Sequence, residues 1–349
     1  MMRLIAFILF LLLLPVGFMA VYERGLLDAY VTDDMIPVDP FIKAELAQKT
    51  NANDLASRIN AALDAGDYED AIMYADIAHY MIVKLDPDTQ SRLDAEKTLS
   101  RTVMRNTGGF FEGFVTGEGG DTASFMGAIT SDFTVVGDVR DIGREGSKMV
   151  SGEDYSQLIL GLSVLGLAAT TATIATGGGG LPARIGVSLL KVAEKAGTIT
   201  VRFARNMTRL LSEAVNFEKL RGTLRTVDLA DSAATRRAIT NYAGSVSFAK
   251  IAPVIDDVAA LEKGVGPAES VRLLKYVDNT DDLAHVAKMG GKLGSKTRGI
   301  VELTGKTSLR AFKTLSNLFL LAFHWIWALG AGIGTLLFGS LARGIRRRA

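Results

Sequence analysis

Carboxylate pairs that could serve acid–base chemistry occur at Asp138/Asp141, Asp256/Asp257 and Asp281/Asp282 in this 349-residue chain, although spacing in sequence does not show that they converge. Hydrolysis of a glycosidic or peptide bond by carboxyl groups needs two of them converging in one cleft, one protonated and one ionised. Asp138 and Asp141 are three residues apart and share one side of a helix. Arg140, Arg144 and Glu145 surround them, so local pairing competes with catalysis, and Asp138, Arg140 and Asp141 read as a structural charge cluster. The chain has three histidines, His79, His285 and His324, far apart in sequence, and no cysteine. No Ser-His-Asp set can be assembled from them, and thiolate nucleophiles, thiolate metal sites and disulfides are excluded. A zinc site would have to be built mostly of carboxylates, against the usual ligand set. The expectation is a protein with no catalytic, cofactor-binding or metal-binding residues.

Two glycine-rich stretches invite a phosphate-loop reading and fail it. GIVELTGKTS (Gly299 to Ser308) puts five residues between its first glycine and the Gly-Lys pair, where the loop requires four and a preceding strand. Gly305 reads instead as a helix end. TGGGGLP (Thr176 to Pro182) has no Lys-Ser/Thr after it and reads as a flexible break between two helices.

The elements that would carry these residues are helical. Val135, Val139 and Ile142 recur at helical spacing, predicting an amphipathic helix through GDVRDI with its charges turned outward. The next stretch, Ser156 to Pro182, is uncharged. It has the length of a membrane span, but serine, threonine and glycine dilute it. The expectation is one arm of a buried helical hairpin, with Leu181 to Ala196 as the return arm and bilayer insertion as the alternative. Farther on, Gly299 to Gly305 and the preceding residues from Gly266 predict three short helices, stopped at Asp278-Asn279-Thr280, Gly290-Gly291 and Gly305. No series of alternating strands occurs.

Both ends are apolar. Arg3 precedes an uncharged run from Leu4 to Tyr22, near the roughly 20 residues a span needs; Phe18 is poorly placed for cleavage after Ala20, which favours a signal-anchor. Thr314 to Ala342 is also uncharged and is followed by Arg343, Arg346, Arg347 and Arg348. Gly330, Gly334 and Gly339 offer a small-residue face for helix–helix contact, hence possible homo-oligomerisation through this segment. Positive residues stay on the cytoplasmic side. Both termini are therefore expected inside a bacterial inner membrane, in contact with membrane lipid, with the body extracytoplasmic.

The near-neutral net charge of +1 hides an asymmetry. Val21 to Ser100 carries seven basic and sixteen acidic residues, whereas Leu181 to Arg310 carries twenty-one and thirteen. Two lobes that attract each other, a basic lobe facing an acidic surface, and two solvated faces of unrelated lobes all fit. The basic residues are spread over helices with few aromatics between them, which argues against nucleic acid.

Two resemblances follow from short motifs. GDYEDAIMYADIA is similar to the second half of a tetratricopeptide repeat, with Gly66, Tyr68, Ala71 and Ala78 in the family's positions and Pro87 four places late. It implies an αα-hairpin that binds a protein partner. GDVRDI with the apolar stretch Leu158 to Thr176 resembles the helical pre-toxin segments of bacterial polymorphic toxins, through Gly137, Asp138 and Asp141. That resemblance implies a secretory or envelope setting, although nothing after Arg184 looks catalytic.

The expected architecture is all-α and membrane-anchored. It comprises an N-terminal anchor (1–22), an acidic hairpin region (23–106), a glycine-rich region with an apolar hairpin (107–197), a basic helical region (198–313), a C-terminal span (314–342) and a basic tail (343–349). The expected role is an envelope scaffold that binds protein partners. The alternative is a membrane-active or toxin-associated protein whose glycine-rich hairpin enters a bilayer.

Overall fold

The computed structural model describes residues 39–96, 135–175 and 180–309, together with Trp325. Among the described residues every regular element is helical. The chain divides into two units: one is Lys43–Leu309, and the other comprises the ends, Met1–Ile42 and Arg310–Ala349. In chain order come α1 (Asp39–Lys49), α2 (Ala52–Asp64), α3 (Tyr68–Tyr80) and α4 (Pro87–Glu96). Next are α5 (Val135–Ser151), α6 (Gln157–Ala175) and α7 (Leu181–Lys195). The remainder is α8 (Val201–Ala214), α9 (Phe217–Leu224), α10 (Ser232–Ala243), α11 (Ala252–Val265), α12 (Pro267–Leu273), α13 (Thr280–Leu293) and α14 (Lys296–Thr304).

α6 is the centre of the larger unit. It carries no charge, and Leu158, Leu160, Leu162, Val164, Leu165 and Leu167 are all buried. Those positions go round the whole helix, so the helix must be enclosed; α5, α7, α8 and α10 enclose it. Each such side chain contributes roughly 1.5–3 kcal/mol on burial. Near the C-terminal end, the hydroxyls of Thr170, Thr171 and Thr173 donate to carbonyls four residues back at 2.9, 3.0 and 2.8 Å, which satisfies them without tertiary partners. α7 returns antiparallel along α6, packs on α11, and α11 packs on α13.

Among the described residues no helix is long and apolar enough to cross a membrane. The expected spans at 1–22 and 314–342 lie outside the described residues, apart from the helical, exposed Trp325. Gly330, Gly334, Gly339 and His324 also lie outside them.

The expected stop at Gly290-Gly291 is not met. α13 continues through both glycines to Leu293 and ends at Gly294, whose φ is 61°. Gly290 has a packing role instead: a Cβ on it would lie 2.9 Å from Leu261 Cδ1, and a Cβ on Gly264 of α11 would lie 2.7 Å from the Gly290 carbonyl carbon, whereas Gly291 faces open space. The two helices therefore cross at backbone contact.

Asp256 and Asp257 lie on α11, Asp256 exposed and Asp257 part-buried. Burial raises the Asp257 carboxyl to about 6, with Lys288 pulling it down and Asp256 pushing it up. Between its ordinary value near 4 and about 6, the folded chain holds a proton that the unfolded chain has lost. The stabilisation from this group is thus present at low pH and is lost as pH rises through about 6. Asp257→Asn is expected to raise stability at pH 8 by about 2 kcal/mol and to gain nothing at pH 4; urea titrations at the two pH values check it.

The N-terminal hairpin is set by its caps. The Asn51 side chain accepts from the Asp54 amide at the start of α2, and Asp67 does the same for the Asp70 amide in α3. Gly66 sits between them at φ 74°, in a conformation glycine adopts without strain. Ala71 and Ala78 of α3 are buried, Ala78 beside the groove between α3 and α4, and α4 packs on both helices. α3 ends in a Schellman turn: the Val83 amide reaches the Ala78 carbonyl at 2.8 Å and the Ile82 amide reaches the His79 carbonyl at 3.0 Å. The left-handed position of this turn normally takes glycine; here it is Ile82, at φ 60°. Ile82→Gly is expected to stabilise the fold by about 1 kcal/mol, measured as a raised denaturation midpoint.

Candidate functional site

The residues singled out for chemistry turn inward. Asp138 is 1% exposed, Asp141 0% and Glu145 3%, so the expectation that the α5 charges face outward is overturned. The cause is a matching stripe on α7. Arg184, Lys191 and Lys195 stand at i, i+7 and i+11 and meet the aspartates from across the bundle. Arg184 Nη1 lies 2.5 Å from Asp138 Oδ2, and Lys191 Nζ lies 2.7 Å from Asp138 Oδ1. Lys191 is also 3.3 Å from Asp141 Oδ2, and Lys195 is 2.8 Å from the same oxygen. Arg140, itself exposed, reaches Asp141 Oδ1 only at 3.5 Å, and Arg144 at 3.8 Å. The expected local pairing is therefore the minor part of the cluster; the principal partners are some 50 residues away.

Two further contacts complete it. Arg184 Nη1 donates to the Gly166 carbonyl of α6 at 2.8 Å, tying the three helices together. Gly166 leaves the space that the Asp138 carboxylate fills: a Cβ there would lie 2.7 Å from Oδ2. Glu145 accepts from the Ser156 amide at 2.8 Å and from Arg144 at 2.9 Å, holding the end of α5 to the start of α6.

The two aspartates are driven apart in acidity. Burial raises the Asp138 carboxyl against the pull of Lys191 and Arg184. For Asp141 burial acts in the same sense, but Lys191, Lys195 and Arg140 outweigh it, and the carboxyl falls below its ordinary range. A pair with separated acidities is how acid–base sites are built. Here, however, both carboxylates are shut off from solvent and cations bond three of their four oxygens; the fourth, Asp141 Oδ1, is buried without a hydrogen-bond partner. The arrangement can hold three helices in register; it offers no approach to a substrate.

A second cluster fastens the acidic hairpin to the basic half. Arg298 of α14 is 4% exposed and pairs with Asp70 of α3 through Nη2, with Glu269 of α12 at 2.6 Å and with Glu302 at 3.1 Å. Arg272 adds contacts to Asp70 and Glu269 at 3.4 and 3.2 Å, and Lys275 reaches Glu302 at 3.1 Å. Tyr74 donates its hydroxyl to Glu302 at 3.0 Å; burial and that carboxylate push its phenol up to about 12. Gly299 lets α14 approach: a Cβ there would lie 3.0 Å from the Met73 methyl. Of the two explanations for the charge asymmetry, mutual attraction of the acidic and basic parts describes this contact.

Asp281 and Asp282 occupy the first turn of α13, where Asp282 accepts from the Asp278 amide at 3.1 Å. His285 is part-buried on the same helix and contacts the Asp281 carbonyl. Among the described residues no group of three or more His, Asp or Glu could hold a metal ion. Two cavities are open at the surface. One, about 480 Å³, lies by Gln157, Ser212, Glu213 and Asn216, but its side chains are engaged, Gln157 with Ser212 at 3.0 Å and Glu213 with Lys250 at 2.6 Å. The other, about 490 Å³, runs between α3 and α4 beside His79.

Sequence reasoning named Asp138 and Asp141 but missed Arg184, Lys191, Arg298, Asp70, Glu269 and Glu302. One signal was present: Asp138, Asp141 and Glu145 on a single helix stripe, answered by a basic stripe on an otherwise apolar return arm. Arg298 had no such signal, because its partners come from three separate helices. No protein-family model, curated protein or solved structure matches this chain.

Proposed function

We propose that the chain is a partner-binding scaffold of the bacterial inner membrane, its helical body held outside the cytoplasm between two apolar ends. The observation that carries this reading is the fate of the buried charges. In the described body, the most deeply buried charges, Asp138, Asp141, Lys191 and Arg298, are paired with charges on other helices. They fix a shape and leave the surface for contacts with other proteins. The apolar ends and the terminal arginines supply the location. Within this reading the chain is not an enzyme and uses no cofactor.

The rival, a bilayer-inserting hairpin of the kind the pre-toxin resemblance implies, draws on the uncharged α6. Its return arm weighs against it. Moving α7 into lipid would strip Arg184, Lys191 and Lys195 of their aspartates, and each cation costs about 2.5–3.5 kcal/mol at a bilayer centre.

The absence of cysteine makes the location directly testable. Ser247 is exposed, so a single cysteine at Ser247 in intact cells is expected to react with a membrane-impermeant maleimide. A single cysteine at Ala349 is expected to react only after the inner membrane is opened. Labelling of Ser247→Cys only after opening contradicts the proposal.

A further inference from the structure

The geometry points to the α3–α4 groove as the docking site for a basic amphipathic helix of a protein partner; this inference rests on the scaffold reading and gives its binding surface a place. α3 has two working faces. One carries Asp70, Met73, Tyr74 and Ile77 and is covered by α14 of the same chain. The other carries Ile72, Ala75 and His79, and with Leu85, Gln90 and Leu93 it lines an open groove of about 490 Å³. The floor is apolar, and helix-in-groove recognition seats a row of apolar anchors in such a floor.

Charge complementarity selects the partner's polar face. Residues 43–96 carry eleven acidic and five basic side chains. Three of the acids border the groove. Asp76 lines it, within 3.3 Å of the Ser295 hydroxyl at its edge. Asp94 accepts from the lining Gln90 at 3.2 Å. Asp86 lies between the lining residues Leu85 and Pro87 and caps Thr89 at 2.9 Å. Lys84 is the one basic residue of the lining besides His79. A partner with lysine or arginine flanking its apolar stripe gains on encounter and in register, whereas an acidic one is repelled.

The turn at the groove's end supplies an independent observation. Ile82, next to the lining Val83, is 86% exposed and in the left-handed conformation. A β-branched residue is strained there, and an exposed apolar side chain makes almost no contact that would offset the strain. A docked helix would cover it. Backbone strain of this sort persists where a site has a use for it.

The test uses the full-length protein in nanodiscs of phosphatidylcholine, whose neutral headgroups do not attract a basic peptide. The probe is a fluorescein-labelled amphipathic helix of leucine and lysine, read by anisotropy. Its controls are the same residues scrambled to destroy the apolar stripe and a leucine–glutamate counterpart. Wild type is expected to bind the leucine–lysine helix at least about tenfold more tightly than either control. Ala75→Arg, which fills the groove with a positive charge, is expected to weaken binding about tenfold, and Ile82→Gly about threefold. Should Ala75→Arg lower the melting temperature, Gln90→Lys on the exposed side of α4 takes its place. Equal binding by wild type and the groove variant, equal binding of the acidic helix, or no binding of the basic one overturns the inference. The Ser247 labelling reads location alone, so either result can fail without the other.

Discussion

Asp138→Asn is expected to destabilise the protein by about 3 kcal/mol, the cost of removing one member of a buried ion-pair network. Arg184 and Lys191 are 7% and 0% exposed, and both pair with this one carboxylate, at 2.5 and 2.7 Å. The amide keeps the shape of the side chain; burial, which raises the carboxyl, would by itself favour this neutral form, but the two cations it leaves underpaired within a closed bundle outweigh that gain. Urea unfolding followed by circular dichroism measures it. Gly166→Ala acts on the same point from α6: its methyl would stand 2.7 Å from Asp138 Oδ2, and displacing the carboxylate is expected to cost about 1–3 kcal/mol. An unchanged stability in Asp138→Asn would mean that the α5–α7 pairs contribute nothing to the fold.

Arg298→Met is expected to act locally. It leaves Asp70, Glu269 and Glu302 facing one another with only Arg272 and Lys275 to offset them. Removing one member of such a buried network costs about 3 kcal/mol or more, and the loss falls on the seam between α3 and α14. Amides of α3 are therefore expected to exchange about a hundredfold faster with solvent deuterium, while those of α6 stay protected, since 1.4 kcal/mol corresponds to a factor of ten. Acid should open the same seam. Burial raises the Glu302 carboxyl, but Arg298 and Lys275 outweigh it and hold it below its ordinary range. Its stabilisation is thus present above the unfolded-state value and is lost as pH falls through the lower folded value. Uniform acceleration across α3 and α6 would contradict a local seam.

The helical class was legible because periodicity is a local property: the apolar stripe of α5 and the helix ends at Gly305 and Gly66 follow from neighbours in sequence. Helix ends that depend on packing were not. Gly290-Gly291 looks like a stop by propensity, yet at Gly290 the Leu261 and Val265 side chains across the α11–α13 crossing make glycine the residue that fits inside the helix. The orientation of α5 was misjudged for a related reason. Aspartates on a helix are turned outward when no partner is visible, and the partners here lie on α7, beyond the whole of α6. Ion pairs of that kind become readable only when two complementary stripes are compared. The Arg298 hub draws on α3, α12 and α14, and no pairwise pattern in the sequence brings those three helices together.

The buried aspartates of α5 hold the bundle together through their ion pairs with α7. A double-mutant cycle on Asp138→Asn and Lys191→Met, measured by denaturant unfolding, tests this most directly. If the two charges exist for each other, removing both is expected to cost at least about 2 kcal/mol less than the sum of the single losses, within the range measured for contacting residues. Strictly additive losses would show that Asp138 and Lys191 are not coupled and would contradict the account.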